Sequence, residues 1–228
     1  NKMVFFWNNR NARRKQSGTL IFWFKEFLDK VGHDKACLVM HTEPYDPNGQ
    51  NLPYIIENLN MDKGQVFLST AKMEANQLSS LYSLADCTIN IADAEGFGLG
   101  TLESLSCETP IIVNMTGGLQ EQVTDGNDNW FGIGIQPSSK AIIGSQDVPY
   151  IYEDRLSKHD FLEAIETFYN MSEEERAEMG RKGRQHVLDN YSLPTYVDNW
   201  YRLFQDVFDN HSSWENRKNY KSWEIFEL

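Results

Sequence analysis

Short apolar runs alternate along the chain with segments whose apolar positions recur every three or four residues. Val4–Trp7, Ala36–Met40, Val66–Leu68, Cys87–Ile91 and Pro110–Val113 have strand length and carry almost no polar residue, the pattern of strands buried on both faces. Between them, Thr19–Val31 places Leu20, Phe24, Phe27 and Leu28 on one helical face. Leu52–Leu59, Glu74–Leu84, Leu99–Cys107 and Leu119–Val123 also read as helices, and Phe131–Ile135 as a sixth strand. This alternation, with short connections, predicts an α/β domain: a doubly wound parallel sheet of about six strands with helices on both faces. Ligands of such sheets sit in a crevice outside the carboxyl ends of the strands.

After Ile143 the pattern changes. Gly144–Arg155 has no clear period and reads as a loop or irregular insertion. Three extra C-terminal helices follow. Ser157-Lys-His-Asp160 and Ser172-Glu-Glu-Glu175 are helix-start signatures, and Pro194 suits a first turn. The last helix carries Val197, Trp200, Tyr201, Phe204, Val207 and Phe208 on one face. We read 1–209 as one domain and 210–228 as a polar tail with isolated aromatics.

Composition narrows the class. A chain of 228 residues with 40% hydrophobic content can bury a full core and is not broadly disordered. No apolar run reaches the ~18–20 residues of a membrane helix. No charged start and apolar stretch opens the chain, which begins Asn-Lys-Met and enters a strand at once; it reads as cut from something longer. Three scattered cysteines, Cys37, Cys87 and Cys107, suit buried free thiols in a reducing, cytoplasmic compartment. The net charge is −12, yet residues 1–40 carry +5. An acidic body disfavours nucleic acid, so the basic opening serves something local. The five histidines show no metal-ligand spacing, and His41-Thr-Glu43 reads as a polar loop after the second strand.

Two segments carry chemistry. Ala94-Glu-Gly-Phe-Gly-Leu-Gly-Thr-Leu-Glu103 follows a predicted strand and opens a helix. Glycines let backbone approach a ligand, and a helix start favours phosphate or sugar oxygens. Glu95 and Glu103 can both reach the crevice, and a carboxylate suits a vicinal diol. Asn8-Asn-Arg-Asn-Ala-Arg-Arg-Lys-Gln16 follows the first strand, where Arg and Lys would face an anion.

Together these segments resemble the C-terminal, donor-binding half of GT-B retaining glycosyltransferases of the glycosyl transferase group 1 family. Glu95 to Glu103, running on through Thr109-Pro-Ile-Ile-Val113, looks like that family's Glu–seven residues–Glu signature. Thr116-Gly-Gly-Leu-Gln-Glu121 looks like its Gly-Gly-x-x-Glu segment, and Arg10 and Lys15 match the Arg and Lys after its first C-terminal strand. The resemblance runs from about Val4 to Phe208. It implies a Rossmann-like fold and metal-independent transfer of a hexosyl group from a nucleotide-diphosphate sugar, with no cofactor beyond that donor substrate. Arg10 and Lys15 would stabilise the diphosphate as leaving group, Glu95 would contact sugar hydroxyls, and Glu103 would hold the ribose. Backbone around Gly96, Phe97, Gly98 and Leu99 would hold sugar or phosphate.

The sequence departs from the pattern at Asn9 and Gln16, where glycines flank the Arg and Lys, and at Ser69-Thr70, which leaves the base open. Gly144–Arg155 has no family counterpart. The family's N-terminal acceptor domain is absent from this chain, so the acceptor, whether glycan, lipid or protein, stays open. So does the final aromatic helix, which can be exposed, dock on its own domain or make a homodimer. A nucleotide-sugar epimerase of the same fold and a non-catalytic binding module are the alternatives.

Overall fold

Six short strands expose a single side chain between them, Phe67, and the rest are buried or half-buried, which requires cover on both faces. The computed structural model describes residues 2–211. The strands are β1 Met3–Asn8, β2 Ala36–His41, β3 Val66–Ser69, β4 Cys87–Asn90, β5 Ile111–Asn114 and β6 Gly132–Ile135. They form one sheet in the order β3-β2-β1-β4-β5-β6, with every neighbouring pair parallel. Of the described residues, 2–187 make one compact unit and 188–211 belong to a second.

Helices α1 Ser17–Val31, α2 Leu52–Asn58, α3 Ala75–Leu84, α4 Leu99–Ser106 and α5 Leu119–Val123 follow β1 to β5 in turn. Alternation along β1 sorts the layers. Phe5 and Trp7 enter a core with Leu20, Phe24 and Phe27 of α1 and with Phe161, Ile165 and Phe168. Phe6 points to the other face, against Tyr82 of α3. The Phe5 ring meets Phe24, Phe27 and Phe168 edge-on at 5.7, 5.9 and 6.2 Å, an arrangement worth more than the buried area alone.

Helix starts are capped as their sequences dictate. Asn51 accepts from the Tyr54 amide, Glu74 and Gln77 form a reciprocal box, and Ser157 accepts from Asp160. Helices α6 Lys158–Asn170, α7 Glu173–Asn190 and α8 Leu193–His211 complete the described chain. In α8, Trp200 tilts against Phe204 with ring centres 5.2 Å apart. Asn210 and His211 extend α8, and the rest of the expected tail lies outside the described residues.

One expectation fails in part. Gly144–Arg155, expected as a loop or irregular insertion, is a loop only as far as Ile151: its last four residues form β8 Tyr152–Arg155, which pairs antiparallel with β7 Ser139–Ile142 as a hairpin. Its strands are short, largely polar and mostly exposed, so they show neither a buried run nor a clean alternation. Elsewhere boundaries move by one or two residues. Cys37 and Cys87 are buried, Cys107 is half-buried, and all three are free thiols. No helix among the described residues is long and apolar enough to cross a membrane.

Phe24→Ala removes a ring packed on two others at the centre of the larger core. It should cost about 3–5 kcal/mol, read as a lower urea midpoint with an unchanged slope. A loss below about 1 kcal/mol would place that ring outside the stabilising core.

Candidate functional site

The strand order reverses between β1 and β4, so the chain leaves these neighbours in opposite directions. A crevice opens at their carboxyl ends. Both chemistry-bearing segments lie in the two loops that flank it.

The loop after β1 tightens into a 3₁₀ turn at Arg13–Lys15 before α1. Gln16 joins turn and helix in the left-handed region, φ 57°, where glycine is the usual residue. Here the side chain holds the strained position: its amide nitrogen donates to Asp93 and its oxygen accepts from Thr19. Asn11 fixes the other end. It is fully buried and satisfied on both sides. Its Nδ2 donates to the Pro44 and Gln50 carbonyls, and its Oδ1 accepts from Ser17 Oγ and the Gln50 amide. The loop after β2 is therefore the cradle of the loop after β1.

Lys15 and Glu95 meet across the crevice. Their side chains are 9% and 8% exposed, and Nζ donates directly to Oε1. Asn90 Nδ2 donates to the same oxygen at 3.1 Å, and Arg14 approaches Oε2 at 3.3 Å. Burial opposes the charge of Glu95, but the donors, Lys15 foremost, outweigh it and hold the carboxyl below its ordinary value. Burial draws the Lys15 ammonium downward despite Glu95.

The turn that carries Glu95 is shaped by glycines. Gly98 caps α4 at φ 86°. A Cβ on Gly117 (φ 51°) would lie 1.8 Å from the Glu95 carbonyl oxygen, so the glycine pair supports the Glu95–Phe97 backbone from beneath. The Gly118 amide donates to Gly96 O at 2.9 Å. Gln122 donates to the Phe97 carbonyl at 2.7 Å. The first amides of α4 have no acceptor within the helix and carry its positive end.

The remaining expected residues sit apart from the Lys15–Glu95 pair. Arg10 is exposed and gives Asp46 two hydrogen bonds, 2.6 and 3.2 Å. Glu103 is exposed and accepts from Tyr82 at 2.8 Å, while Asn8 donates to the Tyr82 hydroxyl at 2.8 Å. That chain ties Glu103 to the end of β1. His41 pairs with Ser69 at 2.9 Å across the ends of β2 and β3. Among the described residues, no three His, Cys, Asp or Glu side chains gather where they could hold a metal ion.

Sequence reasoning missed several participants. Arg14 lay inside the basic run without a role of its own. Asp93, Glu153 and Arg155 carried no signal, because Arg13 and Glu153 are 140 positions apart.

The fold and crevice define a parallel α/β domain with a charged, glycine-shaped crevice at its topological switch point. The profile of the family described as "Glycosyl transferases group 1" matches residues 4–186. The chain belongs to that family. A trehalose synthase of Rubrobacter xylanophilus is 28% identical over 183 residues, which is 79% of this chain and 38% of that protein. A D-inositol 3-phosphate glycosyltransferase of Acidothermus cellulolyticus is 36% identical over 69 residues, 30% of this chain and 15% of its own length. The sucrose-phosphate synthase structure from Thermosynechococcus elongatus shares the fold at TM-score 0.70 and 19% identity, covering 92% of this chain and 46% of that one. A glycosyltransferase structure from Rickettsia africae does so at 0.68 and 19%, covering 92% and 49%. The chain thus spans less than half the length of these relatives.

The ion pair gives a pH signature. Glu95 has a folded-state value below its unfolded one, so its contribution is complete above about 4.5 and is lost as pH falls through the folded value. The stability gap between the native chain and Glu95→Gln should be largest at neutral pH and close on acidification below that point. Urea denaturation across that range decides it; a gap independent of pH would mean Glu95 is not the ionised partner.

Proposed function

We propose that this chain is the donor-binding part of a retaining glycosyltransferase that takes a sugar from a nucleoside-diphosphate sugar without a metal ion. The observation that carries the reading is the convergence of Lys15, Arg14 and Glu95 at the β1–β4 crevice, beside the start of α4. Several relatives are themselves named as glycosyltransferases, which supports the same reading.

When the bond from the anomeric carbon to the diphosphate breaks, negative charge grows on the departing oxygen. Lys15 stabilises that charge from a fixed position in the crevice, and Arg10 joins it by exchanging Asp46 for the diphosphate; such electrostatic stabilisation is usually the largest single contribution. Arg10 is held by a bidentate carboxylate at Asp46; a diphosphate offers its guanidinium the same geometry. Glu95, already ionised and aimed by Asn90, accepts from sugar hydroxyls and sets the orientation of the ring. Gly96, Phe97, Gly98 and Leu99 bring backbone close enough to hold sugar or phosphate oxygens. Glu103 accepts from the ribose diol while Tyr82 keeps its carboxylate in place. The acceptor site and the second wall of the cleft come from a further domain of a longer protein, which this reading requires.

Calorimetric titration of the chain with UDP, GDP and ADP tests the reading. One diphosphate should bind in the micromolar range, and Glu103→Ala should weaken it by about 1.5–3 kcal/mol. A folded chain that binds none of the three, or binds equally well after the substitution, would overturn the assignment.

A further inference from the structure

The β7–β8 hairpin has no role in the reading above, yet it reaches the candidate site at several points. Its Glu153 is 3% exposed and shared by two guanidinium groups. Arg13 donates to both oxygens at 3.0 and 2.6 Å, and Arg155 donates to Oε2 at 3.0 Å. Arg155 also pairs with Asp93. Asp93, itself almost fully buried, accepts from Gln16 and donates its amide to the Arg14 carbonyl at 2.8 Å. The Asp154 amide donates to the Asp93 carbonyl at 2.7 Å. Asn114, the last residue of β5, and Thr116, just beyond it, hold Asp154 through its carbonyl and its carboxylate.

These contacts have a common target. Arg13 and Gln16 bracket Arg14 and Lys15, and each end is held by an acid belonging to the hairpin or fastened to it. Arg13, Arg14 and Lys15 are three consecutive cations, and like charges held close together repel one another. Without counter-acids the turn would splay into solvent. Glu153 neutralises Arg13 without touching the Lys15–Glu95 crevice, so it orders the turn and leaves the anion side open. The Arg13 hydrogen bonds hold the Glu153 carboxyl below its ordinary value, so the clamp is charged at neutral pH.

We infer that the β7–β8 hairpin is a clamp on the Arg13–Lys15 turn, with Glu153 a positioning residue that acts through Arg13 to keep Arg14 and Lys15 aimed at an anion in the crevice. The inference deepens the donor reading, from which it takes the identity of that anion as a nucleoside diphosphate. It assigns a function to a stretch that the sequence alone left without one.

The test compares the full chain with Glu153→Gln, Arg13→Met and the double variant, with Asp147→Asn in the connection between the hairpin strands as control. Two readouts are taken: amide hydrogen exchange over residues 10–16, and affinity for UDP, GDP and ADP against the matching nucleosides. Glu153→Gln should weaken the preferred diphosphate about 3- to 30-fold and leave the nucleoside unchanged. Arg13→Met should give the same loss and the double variant no more. Exchange should quicken at 13–16 but not in β1 or β4, and the control should match the native chain. Unchanged exchange at 13–16 overturns the clamp, as does an equal loss for nucleoside and diphosphate with exchange quickened across the whole sheet. If the native chain binds no diphosphate, the donor reading fails, and exchange at 13–16 alone decides the clamp.

Discussion

The Lys15–Glu95 ion pair is the constraint on which the rest of the crevice depends. It joins two loops that leave neighbouring strands in opposite directions, and hydrogen bonds from Gln16 to Asp93, from the Asp93 amide to the Arg14 carbonyl and from Arg14 to the Ala94 carbonyl run beside it. Both charges are removed from water, which is costly unless geometry and extra hydrogen bonds compensate. Asn90 and Arg14 supply those bonds. Removing either partner would strand a buried charge at a cost of about 3–5 kcal/mol. A pair of this kind is poor economy for stability alone. Its use is to keep a cation and a carboxylate fixed on the two sides of the site.

The neighbouring structure serves to keep that pair in register. Buried Asn11 binds the loop after β1 to the loop after β2, and the glycines at 117 and 118 support the backbone of Glu95 from beneath. Arg10, Arg13 and Lys15 each have a carboxylate: Asp46, Glu153 and Glu95. The basic opening of an acidic chain is therefore balanced locally, and the crevice holds its cations ordered before any ligand arrives. Preorganisation of this kind lowers the cost of binding. Under the proposed donor reading the ordered cations have a chemical use: a departing diphosphate is stabilised best by positive charge already in place.

The sheet was legible because its strands are buried on both faces. Val4–Trp7 and Ala36–Met40 could be little else, and Phe24 and Phe27 recur at helical spacing toward them. Lys15 and Glu95 were legible because each lies in a short motif after a strand. Their partners were not. Glu153 finds Arg13 across 140 positions, and no spacing encodes a contact brought about by sheet closure. The hairpin escaped because Ser139–Ile142 and Tyr152–Arg155 bury little and their pairing is made by backbone. At Gln16 the sequence broke the expected glycine rule, and the structure shows the reason: two side-chain hydrogen bonds support a left-handed residue. At Arg10, a residue identified from its motif proved to be engaged elsewhere, by an aspartate in the neighbouring loop.

The central claim is that the β1–β4 crevice is where an anionic sugar nucleotide binds. The most direct measurement is backbone amide shift mapping while the chain is titrated with its preferred nucleoside diphosphate. The account predicts saturable changes concentrated at residues 10–16 and 95–100, with the faces of α6 and α7 unmoved. Changes centred on those helices, or none in the crevice at saturation, would contradict it.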